Sequence, residues 1–345
     1  MNGYERIKAA LEGSFPDAVP VMLHNFLMAA DEAGYSQEEY RNDPRKLAES
    51  HIRAIERYDY DGVVVDMDTT GLAGAAGVPV SFPRDEPARV HEPLLSTIEA
   101  VKALRAVRIE EYRYVQIWLE AVRILVDHFQ DEIYVRGNCD QSAFSLATML
   151  RAPAQFMMDL YDTDNESLVF DLLEHCSDVS RQFISLMAET GCHMVSKGDS
   201  PAGPAMISPE MYERFALPFE RLDIDEACRH DIPFALHICG DTTKILHQMI
   251  ESGTDAIELD YKTDSELTHA ACRDRVTFMG NIDPSGTLAR GTVEQVVRET
   301  KTLLELFSDT PRFVLNAGCA IPRGTPPANI EAFVRTAREF RRSER

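Results

Sequence analysis

The sequence predicts an α/β fold, a (β/α)8 TIM barrel with N-terminal helical insertions. Three observations carry this expectation. Eight short β-branched runs alternate with segments of helical periodicity along 345 residues, the pattern of a parallel sheet wrapped by helices. Polar residues follow every one of the eight runs, and a barrel carries its chemistry at the carboxyl ends of its strands. A doubly wound sheet is the other arrangement of such units, but no G-x-G-x-x-G follows the first run and no Walker pattern occurs, so a nucleotide-binding version lacks its signature.

The predicted strands are 19–23, 62–66, 133–136, 193–197, 234–238, 256–259, 276–279 and 313–316. The predicted helices are 44–58, 110–128, 166–190, 209–230, 243–251, 292–306 and 328–341. Ser208 followed by Pro209 reads as an N-cap with proline at the first helical position. Thr325-Pro326-Pro327 reads the same way, and Gly253 reads as a stop after 243–251. No low-complexity segment or long linker interrupts the alternation, so residues 1–345 are expected to form a single domain.

Composition narrows the function. Hydrophobic residues make up 44% and charged residues 27%, which excludes a disordered chain, a collagen-like fibre and a small disulfide scaffold. The formal charge of −22 repels phosphate backbones, so no nucleic-acid partner is expected. The apolar runs are far shorter than the roughly 20 residues a span requires, and no apolar signal segment opens the chain. No membrane association and a cytoplasmic location are therefore expected. The seven cysteines are odd in number and scattered, as core thiols or metal ligands are in a reducing compartment.

The strand ends hold the candidate site. They read His24-Asn25, Asp66-Met67-Asp68, Asn138-Cys139-Asp140, Lys197-Gly198-Asp199, His237-Ile238-Cys239, Glu258-Leu259-Asp260, Gly280-Asn281 and Gly318-Cys319. His237 and Cys239 are two apart on an extended chain and share one side of it. An imidazole and a thiolate together suit Zn2+, and Cys319 at the last strand end supplies a third donor. Three protein ligands with one open position describe a catalytic zinc. Asp199 and Asp260 flank the His/Cys strand and are the candidate catalytic carboxylates, to complete the zinc shell, orient the histidine or handle protons. His24, Asn25, Asp68, Asn138 and Asn281 are the candidate substrate-binding residues. Lys197 and Arg323 are candidate anchors for an anion. Phe26, Met28, Met67, Phe144 and Met149 would suit an aromatic ether.

The chain resembles the uroporphyrinogen decarboxylase superfamily, whose fold is a (β/α)8 barrel. The resemblance rests on Ser145-Leu146-Ala147, Asp199, Ile207-Ser208-Pro209-Glu210-Met211-Tyr212, Phe215-Ala216-Leu217-Pro218, His237-Ile238-Cys239-Gly240-Asp241, Gly280-Asn281-Ile282-Asp283-Pro284 and Gly318-Cys319-Ala320-Ile321-Pro322. The decarboxylases carry an arginine-containing segment after the first strand, where this chain has Leu23-His24-Asn25-Phe26-Leu27-Met28, and a histidine where it has Cys319. Both departures weigh against tetrapyrrole decarboxylation. The corrinoid-dependent methyltransferase branch keeps a His-x-Cys pair and a later cysteine as zinc ligands, matched by His237, Cys239 and Cys319. The resemblance therefore implies zinc and methyl transfer between a corrinoid (cobalamin) and a thiol or a methylated small molecule, such as a methoxylated aromatic in O-demethylation. The D-x-H-x-x-G corrinoid motif is absent from the sequence, so the corrinoid is expected on a partner protein. The oligomeric state is left open, a homodimer being one option.

Overall fold

The computed structural model describes residues 1–341. Among the described residues ten strands form: β1 (Met22–Leu23), β2 (Gly62–Val65), β3 (Val80–Ser81), β4 (Arg89–Val90), β5 (Tyr134–Gln141), β6 (Met194–Gly198), β7 (Phe234–Ile238), β8 (Ala256–Leu259), β9 (Thr277–Ile282) and β10 (Phe313–Ala317). Eight of them lie in one sheet in the order β1-β2-β5-β6-β7-β8-β9-β10. Every neighbouring pair in it is parallel, and a parallel bridge from Val21 to Leu315 joins its two edges. The eight predicted strands are these eight, and the sheet closes as the (β/α)8 barrel expected. The antiparallel ribbon β3–β4 lies in an excursion after β2 that strand-and-helix alternation does not foretell.

Helical insertions cluster near the N-terminus as predicted. Phe26–Glu32, Gln37–Asn42 and Pro44–Tyr58 all fall between β1 and β2. The helix Gly3–Glu12 starts with a capping box between Asn2 and Glu5 and closes the amino end of the barrel. Its Ile7 and Ala10 pack with Met22, Val64, Tyr134, Met194, Ala235, Ala256, Met279 and Val314, a buried apolar cluster fed by every barrel strand. Two residues farther along a strand, a side chain returns to the same side. The eight strands there carry His24, Asp66, Arg136, Ser196, His237, Glu258, Asn281 and Asn316. The lower barrel is thus apolar, and the layer above it is polar and points toward the carboxyl-end mouth.

Several boundaries differ from the sequence expectation. The helix expected over 209–230 breaks at Ala216 into Pro209–Phe215 and Leu217–Arg229, because Pro218 has no N–H to continue the first helix. Ser208 caps the first of these, accepting from Met211 N–H at 3.2 Å. Thr325 does not cap Pro327–Glu339; Pro326 holds that position, and the Thr325 hydroxyl donates back to Pro322 O at 2.8 Å. Strand β5 runs five residues past its predicted end and β9 three. Among the described residues, no helix is long and apolar enough to cross a membrane.

Candidate metal centre

Strand β7 ends in the His-x-Cys pair, and strand β10 runs into Gly318-Cys319. The barrel brings these ends together. His237 Nε2 lies 2.9 Å from Cys239 Sγ, and Cys239 Sγ lies 3.5 Å from Cys319 Sγ. One ligand atom from each of the three residues falls within 4.8 Å of the others, as a single ion requires. Gly318 allows this approach: a Cβ there would sit 2.6 Å from Tyr261 N and 3.1 Å from Asp260 Cα, both backbone atoms. Gly318→Ala is therefore expected to spread the β8 and β10 ends and lower metal occupancy, read by metal analysis of the folded variant.

The surroundings orient the three donors. His237 Nδ1 lies 3.1 Å from the Glu258 carbonyl and 3.5 Å from its carboxylate, which leaves Nε2 as the nitrogen facing the thiols and free to ligate an ion once deprotonated. Cys239 N–H donates to Ser200 Oγ at 3.2 Å. Gly240 N–H and Lys262 N–H donate to Asp260 at 2.9 and 3.1 Å. The two thiols share a hydrogen bond. The hydrogen bond from Cys319 and the His237 charge pull the Cys239 thiol down to about 3, while Cys239 and burial push Cys319 up. Burial lowers His237, but the neighbouring Cys239 and Glu258 outweigh it and lift the imidazole to about 9.

Below this cluster lies a buried ionic network that sequence reading missed. Glu258 and Arg136 form a hydrogen-bonded ion pair. His24 lies 3.6 Å from the same carboxylate and pairs with Asp66 at 2.8 Å. Burial alone would raise Glu258; Arg136, His24 and His237 overcome it and hold the carboxylate far below its usual range. A signal was available: a glutamate inside the four-residue run Ala256-Ile257-Glu258-Leu259 is a charge in an apolar strand, and such charges are buried only with partners. Arg136 carries the same signal in β5.

His24, Asn138, His237, Cys239 and Cys319 all line one cavity of about 120 Å³, joined by Arg136, Asp66, Asp140, Lys197, Ser200 and Glu258. The other predicted site residues lie outside its wall. The Asp199 carboxylate turns to Ser145, accepting from its N–H and Oγ at 2.8 and 2.6 Å, while its own N–H donates to His237 O at 2.8 Å. Asn25 Nδ2 donates to Tyr60 OH at 3.3 Å. Asp68 accepts from Ala88 N–H at 2.9 Å and so anchors the β3–β4 excursion. Asn281 Nδ2 reaches Asp260 O at 3.4 Å and Thr263 O at 3.5 Å. Of the five apolar candidates only Phe26 reaches the cavity. Lys197 is buried on the carbonyls of Cys139 and Gln141, and Arg323 pairs with Asp31 and Asp85 on the surface.

Asp140 is buried in the cavity wall in a left-handed conformation, φ 62°. Burial pushes its carboxyl from 3.8 up to about 7. The folded state therefore holds a proton that the unfolded state releases above pH 3.8, so this group's contribution to stability falls as pH rises toward 7 and is flat beyond. Asparagine suits the left-handed region and keeps an oxygen for Leu72 N–H. Asp140→Asn is expected to gain stability over wild type through that window, at up to about 1.4 kcal/mol per pH unit, as read by urea unfolding from pH 4 to 8.

Fold and site together define a (β/α)8 barrel with a soft imidazole–dithiol cluster in its carboxyl-end mouth. The chain belongs to the uroporphyrinogen decarboxylase (URO-D) family, which it matches over residues 2–340. It is 28% identical over 342 residues to the methylcobamide:CoM methyltransferase MtbA of Methanosarcina acetivorans, covering 98% of each chain. It is 25% identical over 329 residues to the uroporphyrinogen decarboxylase of Hydrogenovibrio crunogenus, covering 92% of this chain and 89% of that one. A solved methyltransferase from Methanosarcina mazei shares the fold with a TM-score of 0.88 at 22% identity, over 98% of this chain and 99% of the other.

Proposed function

We propose that this protein is a zinc-dependent methyltransferase that moves a methyl group between a corrinoid protein and a small thiol. The carrying observation is the convergence of His237, Cys239 and Cys319 within 4.8 Å on the wall of one cavity. Two thiolates and an imidazole are the donor set zinc prefers, and three protein ligands leave a fourth position for a substrate that enters the cavity. Zinc held there supplies a Lewis acid that brings a thiol to thiolate at neutral pH.

The chain's own residues do the rest. Glu258 fixes the His237 tautomer, and Ser200 and Asp260 hold the loop that carries Cys239. Asp199 and Asp260 act in this reading as positioning residues, not as groups that touch substrate. His24 and Asn138 form the substrate wall, while Asn25, Asp68 and Asn281 brace the loops behind it. We read the chain as one domain and the corrinoid as arriving on a separate protein, in the cytoplasm, where scattered free cysteines stay reduced. The full-length match to a methyltransferase whose name specifies a methylcobamide and a thiol supports this reading.

The other readings fit the cavity less well. A methoxylated aromatic would want an apolar wall, and Phe26 alone of the candidate set lies there. A tetrapyrrole polycarboxylate would want free arginines, and the one arginine among the lining residues, Arg136, is paired with Glu258. The test is incubation of the zinc-loaded protein with a methylated corrinoid protein and thiols, following the corrinoid spectrum. Thiol-dependent loss of the methyl-corrinoid is expected. No transfer to any thiol, with uroporphyrinogen decarboxylated instead, would reverse the assignment.

A further inference from the structure

The cavity beside the candidate ligands contains charges of both signs, and its cations are already engaged. Arg136 is held by Glu258, and His24 by Asp66 at 2.8 Å. Lys197 Nζ donates to Cys139 O at 2.7 Å and Gln141 O at 3.2 Å. An anionic group entering here meets no unengaged Lys or Arg among the described lining residues. Arg136 Nε, His24 Nδ1 and Glu258 Oε1 also lack hydrogen-bond partners, but each belongs to a group held in an ion pair, and Asp140 is in none among the described residues. Asp140 is 1% exposed and lines the cavity; its Oδ2 accepts from Leu72 N–H at 2.7 Å, but its Oδ1 has no partner. A buried polar atom without a partner costs free energy that an incoming donor recovers.

We propose that the substrate thiol carries a hydrogen-bond-donating tail, an amine or a hydroxyl, that binds Asp140 Oδ1, and not an anionic tail. This rests on the thiol reading above and narrows it. Coenzyme M, which appears in the relatives' names, is an ethanethiol ending in a sulfonate, so the preference sets this chain apart from them. Burial raises the Asp140 carboxyl to about 7, so the ionised, accepting form that such a tail needs is populated from about neutral pH upward, where the binding is measured.

The test is calorimetric binding of three thiols of matched length, aminoethanethiol, mercaptoethanol and mercaptoethanesulfonate, to the zinc-loaded wild type and to Asp140→Asn. The amine is expected to bind at least about tenfold more tightly than the sulfonate, or roughly 1.4 kcal/mol, with the alcohol between them. In Asp140→Asn that ratio should shrink below about threefold, roughly 0.65 kcal/mol. A sulfonate that binds as tightly as the amine, an unchanged ratio in the variant, or no binding by any of the three would overturn the proposal. Methyl transfer measured on the same preparations separates the two claims. The binding order with no transfer would defeat the methyltransferase reading and leave the Asp140 preference standing.

Discussion

Glu258→Gln should destabilise the barrel by about 3–5 kcal/mol and loosen metal binding, because it strands a buried guanidinium. Glu258 is fully buried and Arg136 is 2% exposed. The carboxylate also lies 3.6 Å from His24 and 3.5 Å from His237, so one negative charge serves three cationic partners. Glutamine keeps the shape and a hydrogen bond to Arg136 but removes that charge. The His237 imidazole then loses its anionic neighbour and becomes a weaker donor, for which the order of effect on metal affinity is about 10–100-fold. Urea unfolding and competition against a chelator measure the two effects. The double variant Arg136→Met/Glu258→Leu separates them. Replacing the buried pair by apolar side chains should restore most of the stability while metal binding stays weak. Full recovery of both would mean that the network holds up the fold and does not support the site.

Cys319→Ala should abolish methyl transfer, with a fall of at least about 10³-fold, while the barrel stays folded. Cys319 lies past the end of β10, in the mouth and not in the packed lower barrel, and it is only partly buried. Its removal leaves His237 and Cys239, two ligands where a catalytic zinc keeps three. The helical signal and unfolding midpoint should stay close to wild type, since the apolar cluster below is untouched. A variant that unfolds along with metal loss would point to a structural clamp instead.

The fold was readable because barrel strands are short β-branched runs separated by helices, and period alone reveals that. The candidate ligands were readable for a similar reason: His237 and Cys239 stand two apart at a strand end, and Cys319 stands at another. What period does not reveal is which polar residues face inward. Asp66 looks like strand-end decoration in one dimension, and Glu258 reads as a charge in an apolar run whose partners the sequence does not name. They become a network only when eight strands place the same register in one layer. Asp260 follows the end of its strand and Glu258 lies within it, yet the earlier residue faces the candidate ligands and the later one ties the loops. Asp68 and Asn281 face backbone donors and acceptors of neighbouring excursions, contacts that depend on loop geometry no spacing encodes. The break at Ala216 follows from Pro218 and was legible in principle, but unbroken apolar periodicity hid it.

The most direct test of the central claim is zinc content of the purified protein, wild type beside Cys239→Ser, by elemental analysis with a folding check on both. The account predicts about one zinc per chain in the wild type and little in a variant that remains folded. Wild-type protein free of zinc after metal-replete purification, or a Cys239→Ser variant that retains it, would contradict the account.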